Sequence, residues 1–207
     1  MSPDIEIIGD GCAALSLAAR ASELNHNIRL IKPSNAPTTN DHVWGFWSDP
    51  ILVSAQQLAR ATWQKWAIIT HNDCAVLSSE TRPYNAFKRS DWSEHCKGLA
   101  ELSKVTIVAE HEWEKSADSL LFDTRPPVVP NDCMLQHFQG IEVKTKQPCF
   151  DKDMAILMDF RVDQSKGMHF IYLLPYSATE ALVESTVFST ELVDVEFYST
   201  SIVGYLK

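Results

Sequence analysis

The chain has 207 residues, of which 45% are hydrophobic, and this composition predicts a folded protein with a substantial core rather than a disordered segment. Its 18 basic and 27 acidic residues give a formal net charge of -9, which disfavours attraction to the phosphate backbone of a nucleic acid. We therefore expect no nucleic-acid partner.

The five cysteines are widely spaced, with no C-x-x-C pair and no histidine pair at zinc spacing nearby. We expect them to be reduced thiols in a cytoplasmic protein, and we expect no metal site. The N-terminal letters MSPDIEIIG contain neither a basic start nor a long apolar stretch, which argues against a signal peptide and a spanning helix. Any contact with a membrane would then be peripheral.

The N-terminal residues have the pattern of a parallel β-α-β unit, with apolar runs at 5–8 and 28–31 on either side of a helical stretch. The letters GDGCAA that follow the first run fit the dinucleotide fingerprint G-x-G-x-x-A. In this fingerprint Gly9 forms the turn, Gly11 lets a pyrophosphate approach the backbone, and Ala14 allows close packing of the helix. A plain turn without a cofactor is the alternative.

The same fingerprint requires an acidic residue at the end of the second strand, where its carboxylate holds the ribose hydroxyls. Lys32 stands at this place, and a lysine cannot accept those hydrogen bonds. Either the adenosine end is held differently, with Ser34 and Asn35 as candidates, or the cofactor binds weakly.

The middle of the chain mixes loop and regular patterns. Residues 32–50 predict a loop that carries three large aromatic side chains. Residues 90–104 predict an amphipathic helix capped by Ser90, and the β-branched residues at 105–108 predict a strand after it. The segment SLLFDTRPP predicts a strand that two prolines end.

From residue 136 onward, successive segments with strand propensity predict an antiparallel sheet: HFQGIEVKTK, MAILMDFRV, HFIYLLPYS and ALVESTVF. A helix is predicted after Ser189 and Thr190, and the chain ends within it. The predicted fold class is α/β. A Rossmann-like part at 1–130 with an aromatic insertion near 41–83 precedes an antiparallel substrate-binding sheet at 131–207, and we expect this second domain to be incomplete.

Five segments resemble, in order, the FAD-dependent lycopene cyclases of carotenoid synthesis: IIGDGCAALSLA, DHVWGFW, FDTR, LQHFQGIEV and ILMDFRVDQSKGMHFIYLLPYSATEALVEST. The resemblance covers nearly the whole chain, and the last two segments are the most specific. Members of this family continue well past the position where this sequence ends. We therefore expect the N-terminal half of such a protein.

The resemblance implies proton-initiated ring closure at the ends of lycopene or a related linear carotene, an isomerisation without net redox change, at a membrane surface. It also implies reduced FAD as the cofactor and NADPH as its reductant. The FDTR segment resembles the one that approaches the flavin in the family, which adds Asp123 and Arg125 to the predicted cofactor-binding residues Gly9, Gly11 and Ala14. Pro126 stands where relatives usually carry a glycine.

Glu184 is the leading candidate for the acid that protonates a double bond. Alternation in ALVESTVF places Glu184 on one strand face with Leu182 and Thr186, and both faces are mainly apolar. Burial without a cationic neighbour raises the pKa of a carboxyl group, which suits this chemistry. The alternative is an edge-strand glutamate that reaches solvent. Related cyclases carry two adjacent acids here, whereas Ser185 occupies the second position.

Two further carboxylates are candidate catalytic residues. Glu142 matches a glutamate of the family, and Lys144 two positions along the strand would lower its pKa, which suits either a charged group that stabilises a cation or a surface ion pair. Asp159 also has a counterpart in the family, and it either takes part in catalysis or caps a backbone turn.

Trp44, Phe46 and Trp47 are the predicted lining of the substrate pocket, since aromatic faces stabilise a carbocation without attacking it. A packing cluster that covers the flavin is the alternative.

Two other interpretations of the whole chain stay open. The first is a flavin-dependent oxidoreductase of the hydroxylase-like class, which shares the opening β-α-β unit and the antiparallel sheet. The second is an inactive truncated remnant, which Lys32, Pro126 and Ser185 would fit.

Overall fold

The structure, a computed structural model, describes residues 4–35, 41–130 and 132–207. The chain divides into two compact units: a first unit of Met1–Trp44 with Phe87–Val128, and a second unit of Gly45–Ala86 with Val129–Lys207. Residues 45–86 group with the second unit. The domain boundary at residue 130 and the insertion near 41–83 stay predictions.

The described elements, in chain order, are β1 (Ile5–Ile8), α1 (Cys12–Ala18), α2 (Ala21–Leu24), β2 (Ile28–Lys32), β3 (Val43–Trp47), α3 (Val53–Gln57), β4 (Ala61–Trp63), β5 (Lys65–Ile69), β6 (Cys74–Ser78), β7 (Tyr84–Lys88), α4 (Arg89–Leu102), β8 (Thr106–Ala109), β9 (Leu120–Asp123), β10 (Leu135–Lys144), β11 (Met154–Asp159), β12 (Met168–Pro175), β13 (Glu180–Ser189) and α5 (Val195–Tyr205). Short 3-10 helices occupy Pro50–Leu52 and Glu110–Glu112. No helix among the described residues combines the length and the apolar character needed to cross a bilayer.

The first unit contains a four-stranded parallel sheet in the order β8-β2-β1-β9. The opening β-α-β unit is therefore confirmed, and α1 packs between the sheet and α4 through small and aliphatic side chains. The buried cluster there includes Ile7, Ala14, Leu30 and Cys96. Because all four strands are parallel, their carboxyl ends meet at one edge of the sheet, next to the glycine turn.

The cap of α4 differs from the prediction. Ser90 lies inside the helix, which begins at Arg89, and the side chain of Asp41 accepts hydrogen bonds from the backbone nitrogen and the hydroxyl of Ser90 at 3.0 and 2.8 Å. These hydrogen bonds lower the pKa of Asp41. A carboxylate from another segment thus satisfies the helix terminus, and a single-segment pattern could not reveal it.

The second unit contains a six-stranded sheet in the order β10-β13-β12-β11-β5-β6. The four strands predicted after residue 136 are confirmed, and the pairs among β10, β13, β12 and β11 are antiparallel. The junction of β11 with β5 is parallel, so the complete sheet is mixed. Helix α5 begins at Val195 after Asp194, later than the predicted start behind Thr190.

The two faces of this sheet have different coverings. One face, here called the helix face, packs against α5, and Ile202 of α5 shares a buried cluster with Ile171 and Val183. The other, here called the aromatic face, contains Glu184 with its cross-strand neighbours Gly140 on β10 and Tyr172 on β12. Residues that face one another across antiparallel strands share a face, so the register assigns each side chain.

The predicted loop at 32–50 contains a strand, β3, which belongs to a small sheet in the order β3-β7-β4. Its letters VWGFW combine valine with aromatic residues, and these residue types favour extended backbone when neighbouring strands are available. The loop prediction for Val43–Trp47 is therefore wrong, because the flanking proline, asparagine and threonine content outweighed this short pattern.

Candidate functional site

The glycine turn of the first unit combines a backbone conformation that favours glycine with an uncrowded second glycine. Gly9 has a φ of +141°, which side chains rarely permit, and a Cβ atom on it would overlap the hydroxyl of Thr124. Gly11 is exposed, and no atom of the described residues outside its own neighbourhood lies within 4 Å of the place where its Cβ would be. Ala14 is fully buried. The backbone requires the first glycine, and the second leaves room beside the chain.

Asp123 and Arg125 lie at the same edge of the parallel sheet, since Asp123 ends β9 opposite Ile8 of β1. Arg125 donates from Nε and Nη2 to the Asp123 carboxylate at 2.9 and 2.6 Å, and this hydrogen bonding lowers the pKa of Asp123. Nη1 of Arg125 also donates to Glu110 at 2.9 Å. The edge thus carries a cation that its two acidic neighbours orient.

Glu184 lies in the middle of β13 on the aromatic face, and its alternation with Leu182 and Thr186 is as expected. Oε1 of Glu184 accepts a hydrogen bond from the Thr186 hydroxyl at 2.9 Å. The exposure of Glu184 is intermediate, between the buried carboxyl group that we expected and the alternative of a glutamate that reaches solvent. Gly140 lies opposite on β10, and a Cβ there would lie 3.3 Å from Oε2.

Two tyrosines stand beside this carboxyl group. Tyr172 is the direct neighbour of Glu184 on β12, and its hydroxyl forms a hydrogen bond with that of Tyr84. Burial raises the pKa of both phenols. Gly45 permits the pair, because a Cβ on it would overlap the Tyr84 hydroxyl. Both phenols are therefore neutral hydroxyl groups at physiological pH.

The predicted aromatic residues do not form a single cluster. Trp47 packs edge-on against Trp66 and Tyr84, with ring centroids 4.4 and 4.8 Å apart, and so belongs to the surroundings of the tyrosine pair. Trp44 instead donates from its indole nitrogen to His42 at 2.8 Å. Because side chains alternate along β3, Trp44 and Phe46 lie on the opposite side of that strand from Trp47.

Glu142 lies on the aromatic face, opposite Leu182, but its cationic partner differs from the prediction. Arg60 donates to Glu142 at 2.5 Å, and its guanidinium group lies 3.8 Å from the ring centroid of Tyr176. Lys144, which we expected beside Glu142, pairs with Glu180 at 2.7 Å instead. Lys144 lies on the same strand as Glu142 but pairs with Glu180 on β13. The cation that pairs with Glu142 is Arg60, which lies 82 residues away in the sequence.

Asp159 lies on the helix face, where it is fully buried. It accepts hydrogen bonds from the side chain of Arg161 at 2.9 and 2.6 Å, from the backbone nitrogen of Arg161 at 3.1 Å, and from Tyr205 of α5 at 2.9 Å. Burial acts to raise the pKa of Asp159, but these hydrogen bonds outweigh it and the net pKa is lowered. The geometry is that of a turn cap and a buried ion pair.

Ser185 also faces α5 and not the side of Glu184. It is fully buried, and its hydroxyl donates to Nε2 of His169 at 2.8 Å, while Nδ1 of His169 donates to the carbonyl of Asp163 at 2.7 Å. Burial lowers the pKa of His169. A carboxylate in place of Ser185 would therefore point toward the helix, away from the face that carries Glu184.

A cavity of about 860 Å³ in the second unit lies between α5 and the segment that follows β11. Its lining contains charged side chains, among them Arg161, Lys166 and Glu191, and does not include Glu184. Such a lining does not suit a hydrocarbon.

All five cysteines are free thiols, and burial raises the pKa of Cys96 to about 11. Within the described ranges, no cluster of three or more histidine, cysteine, aspartate or glutamate side chains is arranged to hold a metal ion.

Sequence reasoning missed Tyr84, Tyr172, Gly45 and Glu110. The alternation in HFIYLLPYS carries a signal for Tyr172, since it places this residue on the same face as Phe170 and Leu174. Its position beside Glu184 depends on the pairing register of two strands. Tyr84 and Glu110 have no comparable local signal, because their contacts join distant segments.

Comparison with known proteins gives two kinds of likeness. The family model described as lycopene cyclase protein matches residues 4–207. The lycopene beta-cyclase of Paracoccus sp. (strain N81106 / MBIC 01143) is 43% identical over an alignment that covers 91% of this chain and 52% of that protein. The chain therefore spans about half the length of this curated relative.

The solved structures with a similar fold are distant in sequence. A geranylgeranyl bacteriochlorophyll reductase-like protein from Thermoplasma acidophilum has a TM-score of 0.64 at 11% identity, over 98% of this chain and 61% of that one. A 2-methyl-3-hydroxypyridine-5-carboxylic acid oxygenase has a TM-score of 0.63 at 14% identity, over 92% and 60%. A flavin-dependent brominase has a TM-score of 0.61 at 12% identity, over 99% and 61%.

These structures support the α/β class with a Rossmann-like parallel sheet and a second sheet. Sequence identities of 11–14% show a similar fold and do not show a shared function. The match along residues 4–207 and the 43% identity to a curated relative go further. The chain belongs to the lycopene cyclase family.

Proposed function

We propose that this chain forms part of an isomerase that closes ionone rings at the ends of lycopene or a related linear carotene. The observation that carries the proposal is Glu184, a half-buried carboxyl group on a sheet face lined by aromatic rings. A hydrocarbon offers no hydrogen-bonding handle, so its enzyme needs apolar contacts for binding and one well-placed acid for chemistry.

The reaction begins with a proton from Glu184. Its Oε1 accepts a hydrogen bond from Thr186, and in this proposal Oε2 carries the acidic proton. Gly140 lies on the Oε2 side, and the strand opposite therefore places no side chain against this oxygen, where even a Cβ atom would lie 3.3 Å away. The proton adds to a terminal double bond, the next double bond attacks the resulting carbocation to form the ring bond, and a neighbouring carbon then releases a proton. Atoms and electrons balance without an oxidant.

Aromatic faces beside the acid support the positive charge. Tyr172 lies beside Glu184, Tyr84 packs against Tyr172, and Trp47 packs against Tyr84, so none of these rings introduces a stronger nucleophile than a neutral phenol. A cation over such a ring gains roughly 0.5–2 kcal/mol. In this proposal Glu142 is a charged residue that stabilises the cation from the same face, and Asp159 supports the sheet from the other face. The pocket role predicted for Trp44 and Phe46 is not part of it, because both lie on the other side of β3 from Trp47.

The cofactor in this proposal is FAD. Gly9, Gly11 and Ala14 fit a dinucleotide, since the turn leaves room beside Gly11 and Arg125 supplies a cation at the same sheet edge. Family membership and the flavin dependence of the similar brominase support this choice. When bound in its reduced form, FAD undergoes no net redox change in such a reaction, and NADPH would serve to keep it reduced.

The proposed location is the cytoplasmic side of a membrane, with peripheral attachment, because long carotenes dissolve in the bilayer rather than in water. The five free thiols are compatible with a reducing compartment.

A second candidate, a flavin-dependent oxidoreductase, has one observation in its favour: the fold is also that of an oxygenase. The two candidates differ in stoichiometry. An oxygenase consumes NAD(P)H and oxygen with each turnover, whereas a cyclase needs reductant only to maintain the flavin.

The test is expression of this chain, and of the longest reading frame that contains it, in bacteria that accumulate lycopene. We expect cyclic carotenes with the same elemental composition as lycopene in the pigment extract. Chromatography separates them, and mass spectrometry measures their molecular mass. Unconverted lycopene, in a host where an authentic cyclase converts it, would overturn the proposal.

A further inference from the structure

The carboxyl edge of the parallel sheet contains an acidic residue that the dinucleotide fingerprint does not include. Lys32 ends β2, at the place where an acid normally holds the adenosine ribose. In the register of β2 with β8, Lys32 pairs with Ala109, and Glu110 follows directly. Parallel neighbouring strands lie about 4.8 Å apart, so Glu110 emerges at the same edge, one strand away from Lys32.

The side chain of Glu110 reaches back across this gap. Its Oε2 accepts a hydrogen bond from the backbone nitrogen of Ser34 at 2.9 Å, two residues beyond the end of β2. Its Oε1 accepts from Nη1 of Arg125 at 2.9 Å, and Arg125 follows β9 on the far side of β1. The carboxylate is thus held at the end of β2, close to the chain that leaves the strand.

Glu110 retains capacity for a ligand. An ionised carboxylate has about four acceptor positions, and the contacts with Ser34 and Arg125 use one on each oxygen. The side chain is 30% exposed, so a ligand can reach the remaining positions. Two acceptors on one rigidly held carboxylate match the two neighbouring hydroxyls of a ribose.

We propose that Glu110 is the ribose-binding acid of the cofactor site, in place of the missing acid at Lys32. This inference rests on the proposed FAD site. Arg125 and the Ser34 backbone orient the carboxylate, and the adenosine ribose of the dinucleotide donates its 2′- and 3′-hydroxyls to it. The acid directly follows β8, and the first β-α-β unit alone therefore does not contain the complete fingerprint.

The first test is FAD binding, measured by the change in flavin fluorescence as the full chain is titrated. Glu110→Ala should weaken binding about tenfold or more, because hydrogen bonds to a charged group are lost. Glu112→Ala is the matched control: it lies in the same 3-10 turn, its side chain is 67% exposed, and its removal should change the affinity by less than about twofold.

The second test separates ribose binding from support of the Ser34 segment. ADP and 2′-deoxy-ADP compete with FAD, and the ratio of their affinities reports the hydroxyl contact. The wild-type chain should prefer ADP by about tenfold, and Glu110→Ala should reduce that preference to within about twofold. If the substitution weakens both competitors equally, Glu110 only positions the segment and the inference is overturned.

The outcomes also separate this inference from the FAD site itself. Wild-type protein that binds no FAD would contradict the proposed cofactor and with it the inference. Wild-type protein that binds FAD, together with Glu110→Ala protein of equal affinity, would overturn the inference alone.

Discussion

The two faces of the six-stranded sheet treat polar groups in opposite ways. On the helix face, Asp159 and Ser185 are fully buried and each has a dedicated partner, Arg161 and His169. On the aromatic face, Glu184 is half-buried, and its surroundings are a threonine hydroxyl, phenols and a glycine opposite. The first arrangement gives each buried polar group a specific partner and stabilises the fold, while the second places a half-buried acid among hydroxyl groups.

Residues that are adjacent in sequence can have different roles when they lie on different faces of the sheet. Glu184 and Ser185 are adjacent, yet they point to opposite faces because side chains alternate along a strand. Ser185 therefore takes part in packing α5 against the sheet. The same comparison gives a criterion for the candidate acids: substitution on the helix face should lower stability, and substitution on the aromatic face should lower activity.

The largest expected effect belongs to Glu184→Gln, which removes the acidic proton with little change in shape. We expect carotene cyclisation to fall at least about 100-fold, the usual share of a general acid, while the melting temperature stays near that of the wild type. Glu180→Gln is the matched control on the same face of the same strand, and it should retain activity within about twofold. Activity that survives in Glu184→Gln would remove Glu184 from the reaction.

Asp159→Asn tests the helix face. The amide leaves Arg161 and Tyr205 without a charged acceptor, so we expect the free energy of unfolding to fall by about 2–3 kcal/mol in urea denaturation. Asp153→Asn is the control, because its pair with Lys152 is exposed and its loss should leave the free energy of unfolding unchanged. Unchanged stability in Asp159→Asn, with lost cyclisation, would move Asp159 into the catalytic group.

Two adjacent substitutions sharpen the contrast between the faces. Thr186→Val removes the hydrogen bond to Glu184, and we expect turnover to fall about three- to tenfold with a shifted pH profile. Ser185→Ala removes the hydrogen bond to His169, and we expect a loss of about 1 kcal/mol in unfolding free energy with normal turnover of the folded protein. The reverse assignment of these effects would contradict the division of the faces.

The pH dependence of stability provides the smallest effect. Burial lowers the pKa of His169 below its ordinary value of 6.5, so just below pH 6.5 the unfolded chain binds a proton that the folded chain does not. The free energy of unfolding should therefore fall as the pH drops from about 7 to 5. The lowered pKa values of Glu6 and Asp159 act only as the pH falls below 4.5 and 3.8.

Urea denaturation of His169→Gln, compared with the exposed control His71→Gln, checks this assignment. The first variant should flatten the slope between about pH 5 and 7, and the second should not. If the free energy of unfolding changes equally with pH in both variants and the wild type, a group other than His169 causes the pH dependence.

Local patterns were sufficient for much of the fold. Apolar runs around Gly9 and Gly11 predicted the β-α-β unit, and alternation after residue 136 predicted four strands and the face of Glu184. Strand β3 was missed because its five residues lie within a segment of loop-like composition. A short strand depends on partners that no local window contains.

The surroundings of the site could not be predicted because they depend on long-range contacts. The hydroxyls of Tyr84 and Tyr172 meet across a separation of 88 residues, and Arg60 reaches Glu142 across 82. Sequence alternation assigns a residue to a face but does not identify what covers that face. The site roles predicted for Glu184, Glu142 and Asp159 therefore remain predictions that the substitutions above would test.

The central claim is that a proton delivered from the aromatic face starts ring closure. Conversion of lycopene by the flavin-loaded protein in D2O tests it most directly, because the proton of Glu184 exchanges with solvent between turnovers. Mass spectrometry of the product should find one deuterium in each ring, at the carbon that accepted the proton. Rings that form at the normal rate without deuterium would contradict the claim.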